Sequence, residues 1–207
     1  MTSQTVASHR QDVIAALEAE RDIKFGFKDF FMPWTDKSPI NTSWRIWLGI
    51  AIQFFQQADG NNIVSYYATY LLIHSAGMSQ HQASITAAGV VLIFVAGTAT
   101  GIYTVERFGR RPVLLYGAMA CSFFMILFTI GLAINTKHST IMAVVSIFLF
   151  EFVFGGSWCF MPWVYAPEIS PLHVRHIGTS LAVGTEWLVT FILVKWGPLG
   201  ISTIGWK

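Results

Sequence analysis

Charge is what this chain has least of. Asp, Glu, Lys and Arg make up only 12% of its 207 residues, against roughly 25% in an ordinary soluble domain. What charge there is crowds to one end, with six of the eleven acids and six of the thirteen Lys/Arg before residue 46. Cysteine is nearly absent, and Cys121 and Cys159 both lie in apolar runs. That excludes a disulfide framework and leaves no metal-ligand spacing. His173 and His176, without a carboxylate or cysteine cluster, read as interfacial residues and not as metal ligands, and His74 reads the same way. No basic stripe with interleaved aromatics points to nucleic acid. There is no phosphate loop and no nucleophile–base arrangement, so an enzyme is not expected, nor is a cofactor. The opening "MTSQTVASHRQDVIAALEAERDIK" is too polar for a signal peptide. The first span must itself direct insertion.

What is present in quantity is apolar. Hydrophobic residues reach 54% and aromatics 15%, and from Gln53 to Trp196 the runs are long and nearly uncharged. Five candidate spans follow, at about 45–73, 83–104, 112–134, 140–165 and 175–195, each near the roughly 20 residues that cross a hydrocarbon core. Only helices suit such runs, because every backbone amide must be satisfied internally. The expected fold class is an all-α membrane protein. Residues 1–44 form a cytoplasmic leader, with a short helix over 9–21 broken by Pro33 and Pro39, and residues 45–207 form the transmembrane domain. Short connectors such as "NTKHST" force antiparallel neighbours. Lysine and arginine set the orientation. With the N-terminus in the cytosol, ten of the basic residues lie inside and only Lys137, Lys195 and Lys207 lie outside.

One connector is denser than topology requires. "VERFGRRPVLL", residues 105 to 115, packs Glu106, Arg107, Arg110 and Arg111 around Gly109, with Pro112 following. Glycine permits a tight reversal and proline suits the first turn of the next helix. An acid beside a guanidinium fork makes a charged latch. "ERFGRR" resembles the cytoplasmic loop motif of the major facilitator superfamily in its sugar-porter form. Two further stretches agree and follow in the family's order. "QQADGNNIVSYY" resembles the seventh-span motif, and "PWVYAPEISPLHVR" resembles the end of the tenth. "GTEWL" resembles the eleventh-span site and "IGWK" the approach to the twelfth.

The resemblance implies a part of a twelve-span transporter built from two six-span halves. The match covers the central cytoplasmic helices and spans seven to eleven, a partial C-terminal six-helix half of about five transmembrane helices. It implies passage of a sugar by alternating access, facilitated or proton-coupled, in the lipid bilayer of a plasma membrane. The missing N-terminal half or a second copy would be needed to complete the cavity, so little activity is expected of the chain alone. A non-transporting sugar sensor or interaction protein, or an inactive partial gene product, is the alternative.

The resemblance also singles out site residues. Uncharged amides both donate and accept, as sugar hydroxyls do, so Gln56, Gln57 and Asn62 are the leading ligands. Gln56 and Asn62 lie roughly 120° apart on a straight helix; they share a ligand only if the helix bends, and Gly60 before "NN" offers the place. Tyr66 and Tyr67 line or close the cavity, and Trp163 matches a cavity tryptophan able to stack on a sugar face. Three acids fall inside spans, Asp59, Glu151 and Glu186. An intramembrane carboxylate is a functional candidate by default. Asp59 and Glu186 are candidates to carry a proton, Glu186 also to bind substrate, and Glu151 reads as a buried partner. Glu106, Arg110, Arg111, Glu168 and Arg175 are expected to form a cytoplasmic gating network. Three positions depart from the family pattern: Phe94 and Gly155 stand where polar residues are usual, and Glu186 stands for asparagine. These changes point to a divergent member, for a disaccharide or another polyol-like solute.

Overall fold

The computed structural model describes residues 10–11, 13–15, 18, 40–74, 77–134 and 136–204. Of the expected leader helix over 9–21, the described residues are helical; the others, and Pro33 and Pro39, lie outside the described residues. From Thr42 onward the order is α1 Thr42–Ala58, α2 Asn61–His74, α3 Gln80–Phe108, α4 Arg110–Ile134, α5 Lys137–Gly156, α6 Met161–Ile169 and α7 Arg175–Ile204. A 3-10 turn, Leu172–Val174, precedes α7. No strand occurs among the described residues.

Among the described residues, four stretches are long and apolar enough to cross a membrane: Gln80–Phe108, Arg110–Ile134, His138–Ile169 and Leu172–Gly197. They correspond to the second to fifth expected spans and run a few residues longer. Over the first expected span, 45–73, the chain forms two helices, α1 and α2, interrupted at Asp59 and Gly60, where the sequence offers a bend. Gly60 takes φ 94°, a left-handed backbone open to glycine at little cost. Apolar side chains stay outward on the long helices, with Leu92 and Tyr116 each 71% exposed, as lipid-facing positions require.

The chain divides into two compact units. One comprises Met1–Gln53 with Trp163–Thr185, the other Phe54–Pro162 with Glu186–Lys207. In the first unit, small residues let helical segments approach. A Cβ on Gly49 would meet the Ala166 and Ala182 methyls at 3.5 and 4.0 Å, and one on Gly178 would meet Ser170 Oγ at 2.9 Å. Arg45 donates to the carbonyls of Ile40 and Ile169 at 2.8 and 3.3 Å, a cation against the carbonyl end of α6.

The second unit is built on α5. Its core contains Val64, Val90, Cys121, Phe128, Ile147, Phe150 and Phe154, with Phe150 and Phe154 stacked at 6.0 Å and Phe94 on Phe154 at 6.3 Å. Helices α3 and α5 cross at backbone contact. A Cβ on Gly97 would overlap the Phe152 carbonyl oxygen, and one on Gly155 would lie 2.5 Å from the Phe94 oxygen. Close crossing of this kind is how helices associate where lipid removes the hydrophobic drive. Gly155, where the resemblance led us to note a lost polar group, is thus a packing residue. Trp158 locks α4 to the turn after α5 by donating from Nε1 to the Leu114 carbonyl at 3.0 Å.

The α4–α5 connector carries a capping box, in which Thr136 and Ser139 each accept from the other's backbone N–H. Thr136→Ala is expected to cost about 1 kcal/mol, read as a lowered unfolding midpoint in detergent. At the other end of α4, Gly109 has φ 83° and donates its N–H to the Val105 carbonyl. Arg110 then opens α4 with Pro112 in its first turn, as the sequence suggested.

Candidate functional site

The break between α1 and α2 creates the site. Asp59 Oδ1 accepts from the Asn61 N–H at 2.9 Å. The Gly60 carbonyl accepts from Ile63 and Val64 at 3.0 and 3.1 Å, which starts α2. An acid at a helix N-terminus is electrostatically favoured. Asp59 therefore holds the geometry of the interruption, and it also borders a cavity of about 390 Å³ beside Cys121, Ser122, Met125 and Trp158.

The interruption brings amides together that a continuous helix would separate. Gln57 and Asn62 would lie roughly 140° apart on a straight helix, yet here Asn62 Nδ2 donates to Gln57 Oε1. Gln57 Nε2 in turn donates to Glu186 Oε1 on α7 at 3.0 Å. One turn further along α7, Thr190 Oγ1 accepts from Asn62 at 3.4 Å. Gln57, Asn62 and Glu186 are all buried. The structure thus joins three of the residues singled out from the sequence, in the second unit. Gln56 points elsewhere: its Nε2 donates to the Trp158 and Cys159 carbonyls, both at 2.9 Å, in the turn between α5 and α6. Two buried acceptors, Glu186 Oε2 and Gln56 Oε1, have no hydrogen-bond partner among the described residues.

The tyrosines separate. Tyr67 donates its hydroxyl to the Val194 carbonyl at 2.7 Å and ties α2 to α7. Tyr66 is exposed and borders a cavity of about 450 Å³ with Trp187, Thr190, Phe191 and Lys195. Glu151 is buried and accepts from Ser65 Oγ at 3.4 Å. It faces a cavity of about 440 Å³ that Phe94 also lines. Trp163 belongs to the first unit and is 41% exposed. The residues expected to gate also divide. Glu168 and Arg175 fall in the first unit, and Glu106, Arg110 and Arg111 in the second. Arg175 Nε donates to the Ser170 carbonyl at 3.4 Å, and Glu106 and Arg111 are exposed.

Sequence reasoning missed Thr190, Ser65 and Gln53. Thr190 was signalled by its place one helical turn after Glu186. Gln53 sits one turn before Gln57, is wholly buried, and has both side-chain amide atoms without a partner among the described residues.

Long apolar helices with amides and carboxyls held inside define a multi-pass integral membrane protein. The family model described as "Sugar (and other) transporter" matches residues 3–206. The chain is 30% identical to the MFS-type transporter oryC of Aspergillus oryzae, over 98% of this chain and 38% of that protein. It is 32% identical to the D-xylose-proton symporter of Escherichia coli, over 72% of this chain and 30% of the symporter. The solved proton:xylose symporter XylE bound to 6-bromo-6-deoxy-D-glucose superposes with a TM-score of 0.75 at 27% identity, covering 98% of this chain and 39% of XylE. The chain belongs to the sugar transporter family of the major facilitator superfamily, a family of transporters and not of enzymes. It spans less than half the length of the relatives it matches.

Proposed function

We propose that this chain forms the C-terminal part of a sugar permeation pathway working by alternating access. The observation that carries the reading is the Asn62–Gln57–Glu186 chain at the helix break. It is a buried group of donors and acceptors with the chemistry sugar hydroxyls require. Interrupted helices at mid-membrane are the recurrent transporter device for such sites. Tyr66, Tyr67 and Trp163 are proposed to contribute the apolar and aromatic surface, and Asp59 and Glu186 to carry a coupling proton where transport is proton-linked. The leader, residues 1–44, is proposed to be cytoplasmic and residues 45–207 to be the membrane domain, in a plasma membrane. Glu106, Arg110, Arg111, Glu168 and Arg175 are proposed to gate on the cytoplasmic side. The excess of lysine and arginine in the leader and the α3–α4 connector supports that orientation.

The pathway is proposed to need a second six-span half, or a second copy, to close. Reconstituted alone in proteoliposomes, the chain is expected to give uptake of labelled hexoses and disaccharides close to the protein-free background. Co-reconstitution with an N-terminal half should restore saturable flux. Robust saturable uptake by the chain alone, at a rate linear in protein density, would refute the need for a partner. Saturable binding with no flux in either case would favour a sensor.

A further inference from the structure

In the buried cluster at the helix break, one carboxylate oxygen is left without a donor. Asn62 donates to Gln57, and Gln57 donates to Glu186 Oε1, so amide donation runs toward the carboxylate. Gln56 commits its Nε2 to two backbone carbonyls. Across Asn62, Gln57 and Glu186, what is left unmet is Glu186 Oε2, an acceptor on a side chain only 7% exposed. A buried carboxylate is costly unless it is paired as well as hydrogen-bonded.

No basic side chain contacts Glu186 among the described residues of its unit. Asp59 and Glu151 are themselves acids. Glu106, Arg107, Arg110 and Arg111 sit at the α3–α4 connector, and His81 and His138 near the starts of α3 and α5. Lys195 is nine residues along α7, roughly 13.5 Å at the helical rise, with its ammonium 5.4 Å from the Phe191 ring.

Resting on the sugar reading above, we propose that this site takes a protonated amino sugar, with its ammonium on Glu186 Oε2. A neutral hexose also brings hydroxyl donors, but it leaves the full carboxylate charge unanswered. An ammonium supplies both donors and the opposite charge, in the charge-assisted hydrogen bond that is stronger than a neutral one.

The test is a tryptophan-fluorescence titration of the full chain in nanodiscs with D-glucosamine, D-glucose and N-acetyl-D-glucosamine, at a pH where the free amine is protonated. D-glucosamine is expected to bind at least about tenfold more tightly than D-glucose, as an added charge-assisted hydrogen bond implies. N-acetyl-D-glucosamine, which has lost the charge, should fall with D-glucose. Glu186→Gln, with its helical circular dichroism retained, should collapse the preference for the amine. Equal or tighter binding of D-glucose by the unaltered chain overturns the proposal, as does a preference that survives in Glu186→Gln. D-glucose affinity that rises as pH falls, with no amine preference, assigns Oε2 to a bound proton; it overturns the proposal and leaves the sugar reading standing. Failure of all three sugars to bind, both to the chain alone and after co-reconstitution with an N-terminal half, overturns both.

Discussion

Gly97→Ala is expected to destabilise the second unit by about 1–3 kcal/mol, the usual cost of forcing extra volume into a packed interface. The added methyl would overlap the Phe152 carbonyl oxygen and sit 3.0 Å from the Phe152 Cα. These are backbone atoms of the facing helix, so no rotamer change relieves the clash. Relief requires α3 and α5 to part, which also disturbs the close approach of Gly155 to the Phe94 backbone, where an added Cβ would lie 2.5 Å from the carbonyl oxygen. The measurement is the thermal unfolding midpoint in detergent, compared with Gly184→Ala. A Cβ on Gly184 meets nothing within 4 Å, and alanine is the better helix former, so that control should hold or raise the midpoint. A Gly97→Ala midpoint equal to the control's would show that the crossing is looser than the geometry says.

Gln57→Leu should have the largest effect on sugar affinity, a loss of about 2 kcal/mol or roughly thirtyfold. Gln57 is the link between the two helices' polar groups, accepting from Asn62 and donating to Glu186. Replacing it leaves Glu186 with neither oxygen paired, since Oε2 already lacks a partner among the described residues. It also leaves Asn62 with only its 3.4 Å contact to Thr190. An uncompensated buried carboxylate carries the full desolvation penalty. The side chain should then rotate or take up a proton, and the acceptor pattern presented to a sugar is lost. Asn62→Ala should cost less, because Gln57 and Glu186 remain paired. Titration of both variants in nanodiscs with the same sugar panel decides the order. Unchanged affinity in Gln57→Leu would remove this cluster from the binding site.

Much of this architecture is readable in the sequence, for identifiable reasons. Long uncharged runs permit only helices in lipid, so the second to fifth spans follow from composition alone. The interruption of the first follows from "DGNN", since a glycine with an acid before it and amides after it supplies both the left-handed residue and the groups that restart a helix. What is not readable depends on distant partners. Gln57 meets Glu186 across 129 positions of sequence, and no local pattern sets that register. Gln56 and Gln57 are adjacent and chemically identical, yet one is tied to backbone carbonyls and the other to a carboxylate. Residue type cannot distinguish them. Gly155, read as a lost polar contact, is required by the Phe94 backbone opposite it, and that neighbour is visible only in three dimensions.

Two of the tight glycine positions of the second unit, Gly97 and Gly60, differ in what they face. Gly97 abuts peptide backbone, whereas the atom nearest to a Cβ on Gly60 is the Met125 methyl at 3.0 Å, the free end of an unbranched thioether. Such a side chain yields readily. One seam is therefore welded and the other cushioned. In the proposed transport cycle, bending strain should collect at the Asp59–Gly60 elbow, while α3 and α5 travel as a single rigid plank.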